Sequence, residues 1–260
     1  MVTKQNIKDL HALSIKKHRD ATRCFVAEGA KVVSDLLPLM RCNKLYATQN
    51  YLKSLSSKAL QNIETIEIVD QKTLERLSLL CAPRDVVAIF EKSQETESLE
   101  GLAKRAELNL CLALDAVQDP GNLGTIVRLA DWFGIENIFA STDTADVFAP
   151  KVVQATMGAI GRVKVHYCNL TDLLQHLNKN VAVYGTFLNG NDLYTQYVEN
   201  KGVIVMGNEG KGISAEVETY INQRLFIPPF PIERATSESL NVAVATAVVC
   251  AEFRRRASIK

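Results

Sequence analysis

The sequence has little of what marks a membrane or secreted protein. No apolar run approaches the roughly 18 residues that a membrane-spanning helix needs. The best candidate, residues 242–251, ends after ten residues at Glu252. The first residues contain no apolar segment of the kind found in a signal peptide. We therefore expect a cytoplasmic protein with no membrane partner.

Common metal-binding and phosphate-binding patterns are also lacking. The six cysteines include no C-x-x-C pair, and the four histidines show neither H-x-x-H nor H-E-x-x-H spacing. We therefore expect reduced cysteines in the core and no bound metal. Neither G-x-x-x-x-G-K-[ST] nor G-x-G-x-x-G occurs, which disfavours a nucleotide-dependent ATPase or dehydrogenase.

Charge is nearly balanced overall but unevenly distributed along the chain. There are 30 Lys and Arg residues against 29 Asp and Glu residues, yet residues 1–60 hold 11 of the former and only four of the latter. A polyanion would be attracted to this part of the chain. The candidate RNA contacts are Lys16, Lys17, Arg19 and Arg23. An ordinary solvated face is the alternative interpretation of these four residues.

A polar, mostly acidic stretch at residues 91–101 divides the chain. We predict a small α/β domain over residues 1–93, a linker over 94–108 and a second domain over 109–260. In the second domain, short apolar runs alternate with segments of helical periodicity. Six runs are predicted strands: 110–115, 137–140, 163–167, 181–187, 203–207 and 224–227. This alternation predicts an α/β fold with a mostly parallel sheet flanked by helices, in which ligands bind at the carboxyl ends of the strands.

Two segments that follow predicted strands carry groups suited to binding. The first contains Asn122 and leads into a helix on which Arg128 lies away from the apolar stripe, beside small residues that leave room for a ligand. A surface arginine on an amphipathic helix is the alternative. The second is the loop that begins at Gly207 and contains Glu209. Its carboxylate suits a hydroxyl or a cation, whereas a simple glycine turn before a helix is the alternative.

A third segment runs from Ile227-Pro228 to Ser239-Leu240-Asn241, where the last helix opens. Ser239 or Asn241 could simply be the helix N-cap. The loop over residues 229–238 is longer than the compact link expected, so Asn241 is the safer site residue of the two.

Together and in this order, the three segments resemble the three motifs of the SpoU (TrmH-type) RNA 2′-O-ribose methyltransferases, over roughly residues 109–256. The N-terminal part, with Arg19 and residues 25–29, also resembles the small ribosomal-protein-like RNA-binding domain that precedes this module in rRNA-modifying members. The resemblance implies a trefoil knot in the C-terminal part of the sheet, which pattern alone would not suggest. It also implies a homodimer with the site near the interface.

The resemblance further implies the reaction and the residues that perform it. A methyl group would pass from S-adenosylmethionine to a ribose 2′-hydroxyl in structured RNA, with rRNA favoured over tRNA. The implied catalytic residues are Arg128, Asn122, Glu209, Ser239 and Asn241. The implied cofactor contacts are Gly207, Ile227, Leu240, Asn241 and Thr186. A non-catalytic RNA-binding or ribosome-assembly factor on the same fold is the alternative.

A guanidinium is not deprotonated in proteins, so Arg128 is not expected to act as the base. We expect it to clamp the adjacent phosphate and to stabilise the developing alkoxide.

Overall fold

The computed structural model describes residues 2–92, 97–231 and 239–257. In these ranges the helices are α1 Lys4–Ala12, α2 Lys16–Thr22, α3 Ala30–Leu36, α4 Gln49–Ser54, α5 Ser57–Gln61, α6 Gln71–Leu77, α7 Leu99–Leu108, α8 Pro120–Trp132, α9 Pro150–Thr156, α10 Leu170–Gln175, α11 Ala215–Glu218 and α12 Val242–Ala257. The strands are β1 Cys24–Glu28, β2 Cys42–Ala47, β3 Ile63–Ile68, β4 Val86–Glu91, β5 Leu110–Leu114, β6 Asn137–Ala140, β7 Lys164–Tyr167, β8 Val183–Asp192, β9 Gly202–Met206 and β10 Gln223–Phe226. A 3₁₀ turn covers Ala159–Gly161.

The chain folds into two compact units, and one of them is discontinuous in sequence. The first contains residues 2–92 together with 146–162, and the second contains 97–145, 163–231 and 239–257. Residues 99–108, which belong to the predicted linker, form helix α7 in the second unit. The domain boundaries predicted from the sequence stay a prediction.

The first unit is a small α/β structure built on a four-stranded sheet in the order β1-β4-β2-β3. Strands β2 and β3 are parallel, and β4 runs antiparallel to both of its neighbours. All five residues of β1 are buried, because helices pack on this strand. The small N-terminal α/β domain expected from the sequence is thus confirmed.

Residues 146–162 complete the first unit although they lie far from it in sequence. Helix α9 packs on β1, and the Phe148 ring contacts the Phe25 ring at a centroid distance of 5.0 Å. Arg19 lies beneath this segment, with its Nη2 atom 2.6 Å from Asp146 Oδ2. Arg19 Nη1 also donates to the carbonyl oxygens of Leu13 and Ser14.

The structure corrects the predicted RNA contact at Arg19. Only 2% of the residue is exposed, and its guanidinium is engaged by Asp146 and by two backbone carbonyls. A buried charge is paired in this way because leaving it unpaired costs several kcal/mol. In contrast, Lys16, Lys17 and Arg23 are exposed.

The second unit contains a six-stranded sheet in the order β10-β8-β9-β5-β6-β7, and every pairing in it is parallel. Its central strands β5 and β9 are buried at every position, as expected for a sheet covered by helices on both faces. Helices α7, α10 and α11 cover one face, where Ala113 and Val205 belong to the core. On the other face α8 packs on β6 and against α12. The predicted parallel α/β sheet is confirmed, whereas the knot stays a prediction.

Candidate functional site

The three segments singled out in the sequence lie at one edge of the parallel sheet. Helix α8 follows β5, the glycine-rich loop follows β9, and the chain that leads to α12 follows β10. These three strands run in the same direction, so their carboxyl ends share an edge.

Local sequence fixes the start of α8 and thereby the position of Asn122. Asp119 is the N-cap, and its Oδ1 atom accepts a 2.7 Å hydrogen bond from the Asn122 backbone N–H. Pro120 occupies the first helical position, where its lack of an N–H group costs nothing. The Asn122 side chain is therefore held at the first turn of the helix, facing the glycine-rich loop.

A chain of hydrogen bonds joins one side chain from each segment. Asn122 Nδ2 donates to Glu209 Oε1 at 2.9 Å, and Asn241 Nδ2 donates to Asn122 Oδ1 at 2.9 Å. The backbone N–H of Asp119 also approaches Glu209 Oε1, at 3.4 Å. The structure thus brings Asn122, Glu209 and Asn241 together, although 119 residues separate the two asparagines.

The N-terminus of α12 determines which group donates and which accepts in this chain of hydrogen bonds. Asn241 Oδ1 accepts hydrogen bonds from the backbone N–H groups of Ala243 and Val244. Its amide nitrogen must therefore point away from the helix, toward Asn122. The amide of Asn122 is oriented in turn, with its oxygen toward Asn241 and its nitrogen toward Glu209. Within the described residues the hydrogen bonds of Glu209 all go to Oε1, so Oε2 can accept a hydrogen bond from a ligand.

The glycine-rich loop is closed tightly on itself. A Cβ atom at Gly207 would lie 2.3 Å from the carbonyl carbon of Gly212 and 2.4 Å from the nitrogen of Ile213, so only glycine fits. Asn208 and Gly212 exchange two backbone hydrogen bonds of 2.9 Å, and Gly212 adopts a φ of +72°. This closure leaves Glu209 exposed at the tip of the loop.

Arg128 lies apart from the hydrogen-bonded chain. It is exposed on α8, six residues beyond Asn122, which is about 9 Å further along the helix axis. In the described part of the chain it makes no hydrogen bond and no ion pair. Its guanidinium is therefore available to an anion.

The remaining predicted site residues lie along the same strand ends. Thr186 is on β8, and its Oγ1 atom donates to the Met206 sulfur at 3.9 Å, next to Gly207. Ile227 follows β10 and is half-buried. Ser239 and Leu240 are exposed immediately before Asn241. Most of the long loop before Ser239, residues 232–238, lies outside the described residues.

Two polar residues of this edge, Asp119 and Asn208, are not among the site residues predicted from the sequence. Asp119 caps α8 and its N–H faces Glu209. Asn208 donates from Nδ2 to the Ala116 carbonyl. An Asp-Pro pair before a helical segment is a recognisable N-cap signal for the first. No sequence signal predicts the Asn208 contact, because its two partners are 92 residues apart.

Two further observations bear on ligands and on membranes. Across residues 2–92, 97–231 and 239–257, no three His, Cys, Asp or Glu side chains cluster as a metal site would require. In the same ranges no helix combines the length and the apolar character that crossing a membrane requires.

The fold defines an α/β domain with a candidate ligand site at the carboxyl edge of a parallel sheet, and the same chain contains a small α/β unit. Residues 109–251 match the SpoU rRNA Methylase family, and residues 4–88 match the MRM3-like substrate binding domain. The chain therefore belongs to the SpoU rRNA methylase family.

Individual relatives agree with this assignment. The chain is 29% identical to the 23S rRNA (guanosine(2553)-2′-O)-methyltransferase RlmP of Bacillus subtilis, over 96% of both proteins. A putative RNA methyltransferase of the TrmH family from Porphyromonas gingivalis has a solved structure with 40% identity and a TM-score of 0.86, covering 98% of this chain and 99% of that one. The AdoMet-bound rRNA methyltransferase of Sinorhizobium meliloti is 32% identical with a TM-score of 0.84, covering 98% and 96%.

Proposed function

We propose that this protein transfers a methyl group from S-adenosylmethionine to a ribose 2′-hydroxyl of ribosomal RNA, in the cytoplasm. The observation that carries this proposal is the hydrogen-bonded chain of Asn241, Asn122 and Glu209. It unites the three family motifs at the ligand-binding edge of the sheet and directs a carboxylate outward. A protein that only binds RNA has no need of such an arrangement.

The residues along this edge suit the cofactor. Leu240 is 50% exposed, and the half-buried Ile227 lies after β10, so both can supply apolar contact to an adenosine. The Thr186 hydroxyl and the backbone around Gly207 offer hydrogen-bonding groups beside them. S-adenosylmethionine supplies an electrophilic methyl group on a sulfonium centre. We infer that Gly207, Ile227, Leu240, Asn241 and Thr186 hold it.

The protein must then orient the ribose hydroxyl and provide an acceptor for its proton. Glu209 Oε2 is positioned to accept the hydrogen bond of the hydroxyl, because Oε1 is held by Asn122. Asn122 and Asn241 fix the carboxylate, so little reorganisation is needed when the hydroxyl binds. Ser239 lies two residues before Asn241 and is exposed, where its hydroxyl can contact the ribose.

Arg128 binds the negatively charged part of the substrate. Its exposed guanidinium has no partner in the described residues and cannot serve as a base. It clamps the phosphate beside the reacting ribose and stabilises the alkoxide that develops there. In the first unit, the exposed Lys16, Lys17 and Arg23 supply further phosphate contacts.

We also propose a homodimer formed through α8 and α12. These two helices pack against each other and carry apolar side chains that face solvent. Trp132 on α8 is 84% exposed and Val244 on α12 is 51% exposed. Because Asn122, Arg128 and Asn241 lie on or next to the same helices, a second copy here would lie beside the site.

Methyl transfer from tritiated S-adenosylmethionine to 23S rRNA transcripts tests the function. We expect Arg128→Ala to lower the rate about a hundredfold or more, with cofactor binding retained in calorimetry. Removal of the exposed Lys104 on α7 by Lys104→Ala is the matched control for lost positive charge. If the unmodified protein neither transferred the methyl group nor bound the cofactor, the proposed function would be refuted. Near-normal transfer by Arg128→Ala would refute the role of Arg128 alone.

A further inference from the structure

The turn between β5 and α8 contains a backbone conformation that alanine rarely adopts. Ala116 has a φ of +58°, in the left-handed region that favours glycine. It follows the buried Asp115, the first residue after β5, and precedes the α8 N-cap, Asp119, by three residues. A residue of this kind persists where its surroundings determine its conformation, and such residues cluster at functional sites.

Side chains from two other segments hold both polar groups of Ala116. Its N–H donates to Ser141 Oγ at 2.8 Å, and its carbonyl oxygen accepts from Asn208 Nδ2 at 2.7 Å. Ser141 is fixed in turn by hydrogen bonds with Asp143 and Thr144. The direction in which the chain leaves β5 is therefore set by contacts outside the turn.

Asn208 connects this turn with the loop that carries Glu209. Its Oδ1 atom accepts hydrogen bonds of 3.0 Å from the backbone N–H groups of Gly210 and Lys211. With its oxygen committed to its own loop, its amide nitrogen is the donor to Ala116. One amide group thus joins the loop that carries Glu209 to the turn that leads to Asn122.

We propose that Asn208 is a positioning residue for methyl transfer. By holding the Ala116 carbonyl, it sets the separation between Glu209 and the start of α8, and so the hydrogen bond from Asn122 that orients the carboxylate. This inference rests on the proposed function. It assigns to Asn208 no contact with substrate or cofactor.

Asn208→Asp tests the proposal with minimal change of shape. The substitution retains an oxygen acceptor for Gly210 and Lys211 but replaces the donor to Ala116 with a second oxygen, which repels the carbonyl. We expect kcat for transfer to 23S rRNA transcripts to fall about ten- to a hundredfold, since small displacements of reacting groups have effects of this size. Asn208→Ser, whose shorter side chain keeps an oxygen near the loop but does not extend to the Ala116 carbonyl, should behave likewise.

Asn222 provides a matched control at the opposite edge of the sheet. Its Oδ1 atom accepts from the Val183 N–H at 3.0 Å, and its Nδ2 atom donates to the Val181 carbonyl at 2.9 Å, beside the amino end of β8. Asn222→Asp breaks a comparable connection away from the site. We expect it to lower the unfolding temperature about as much as Asn208→Asp while kcat stays within about twofold of the unmodified protein.

Hydrogen exchange supplies a measurement that does not depend on activity. In Asn208→Asp, the amides of Ala116 and Asp119, which donate to Ser141 and Glu209, should exchange about tenfold faster or more because the turn opens locally. The amides of Gly210 and Lys211 should stay protected. Unchanged exchange in the turn, or equal kcat in the Asn208→Asp and Asn222→Asp variants, would overturn the proposal. If the unmodified protein transfers no methyl group, the proposed function fails, and exchange still decides whether Asn208 holds the turn.

Discussion

The ion pair between Arg19 and Asp146 gives a quantitative prediction about the first unit. The two side chains are only 3% and 12% exposed, and Asp146 Oδ2 accepts from both Nε and Nη2 of Arg19. Asp146→Ala would leave a buried guanidinium without its counter-charge. Nothing else in the segment replaces that carboxylate among the contacts of Arg19 in the described residues.

The expected loss follows from the partners that remain. Removing one member of a buried ion pair costs about 3–5 kcal/mol. The carbonyl oxygens of Leu13 and Ser14 still accept hydrogen bonds from Arg19 Nη1, so we expect about 3 kcal/mol, the lower end of that range. Asp35→Ala is the control, because the exposed i,i+4 pair of Asp35 with Lys31 is worth only about 0.5 kcal/mol.

Urea unfolding of the full chain measures both losses, with filter binding of 23S rRNA transcripts in parallel. Asp146→Ala should unfold at lower urea, and its folded form should bind RNA as the unmodified protein does. A loss below about 1 kcal/mol would refute the structural role of the pair. If Arg19→Ala weakened RNA binding without lowering stability, Arg19 would be an RNA contact rather than a structural residue.

Two further predictions concern α8 and α12. Trp132→Glu should convert the proposed dimer to a monomer in sedimentation without lowering the unfolding temperature, because Trp132 is 84% exposed in the single chain. A variant that stays dimeric would contradict the proposed interface. Hydrogen bonds from Arg255 and Arg256 lower the pKa of Glu252 from 4.5 to about 2. This group therefore stabilises the fold above about pH 4.5, and its contribution is lost as the pH falls toward 2. Glu252→Gln should lower the unfolding temperature at pH 7 but much less at pH 2.5, and an equal effect at both pH values would contradict the ion pair.

The parts of the fold that the sequence predicted are those with a local pattern. The buried strands β5 and β9 are uninterrupted apolar runs, which predict a parallel sheet directly. The meeting of Asn122, Glu209 and Asn241 follows from the rule that ligand groups gather at the carboxyl ends of such strands. The resemblance to a known family supplied the rest of the site.

Features that depend on distant partners were missed. Arg19 occurs among exposed basic residues, and its burial follows only from Asp146, 127 residues away. The predicted linker over 94–108 rests on the polar, mostly acidic stretch at residues 91–101, and it overlaps α7. In this case the signal is local, since Ser98 caps the segment and Leu102, Ala103 and Ala106 form an apolar stripe.

The discontinuity of the first unit affects how the protein emerges from the ribosome. Its sheet ends with β4 at Glu91, yet α9 and the carboxylate that neutralises Arg19 are synthesised about 55–65 residues later. At translation speeds of ~5–20 residues per second, this interval is several seconds. Throughout it, the nascent polypeptide carries an incomplete amino-terminal core, with Phe25 and Arg19 uncovered. During these seconds the incomplete core is accessible to a chaperone at the tunnel exit.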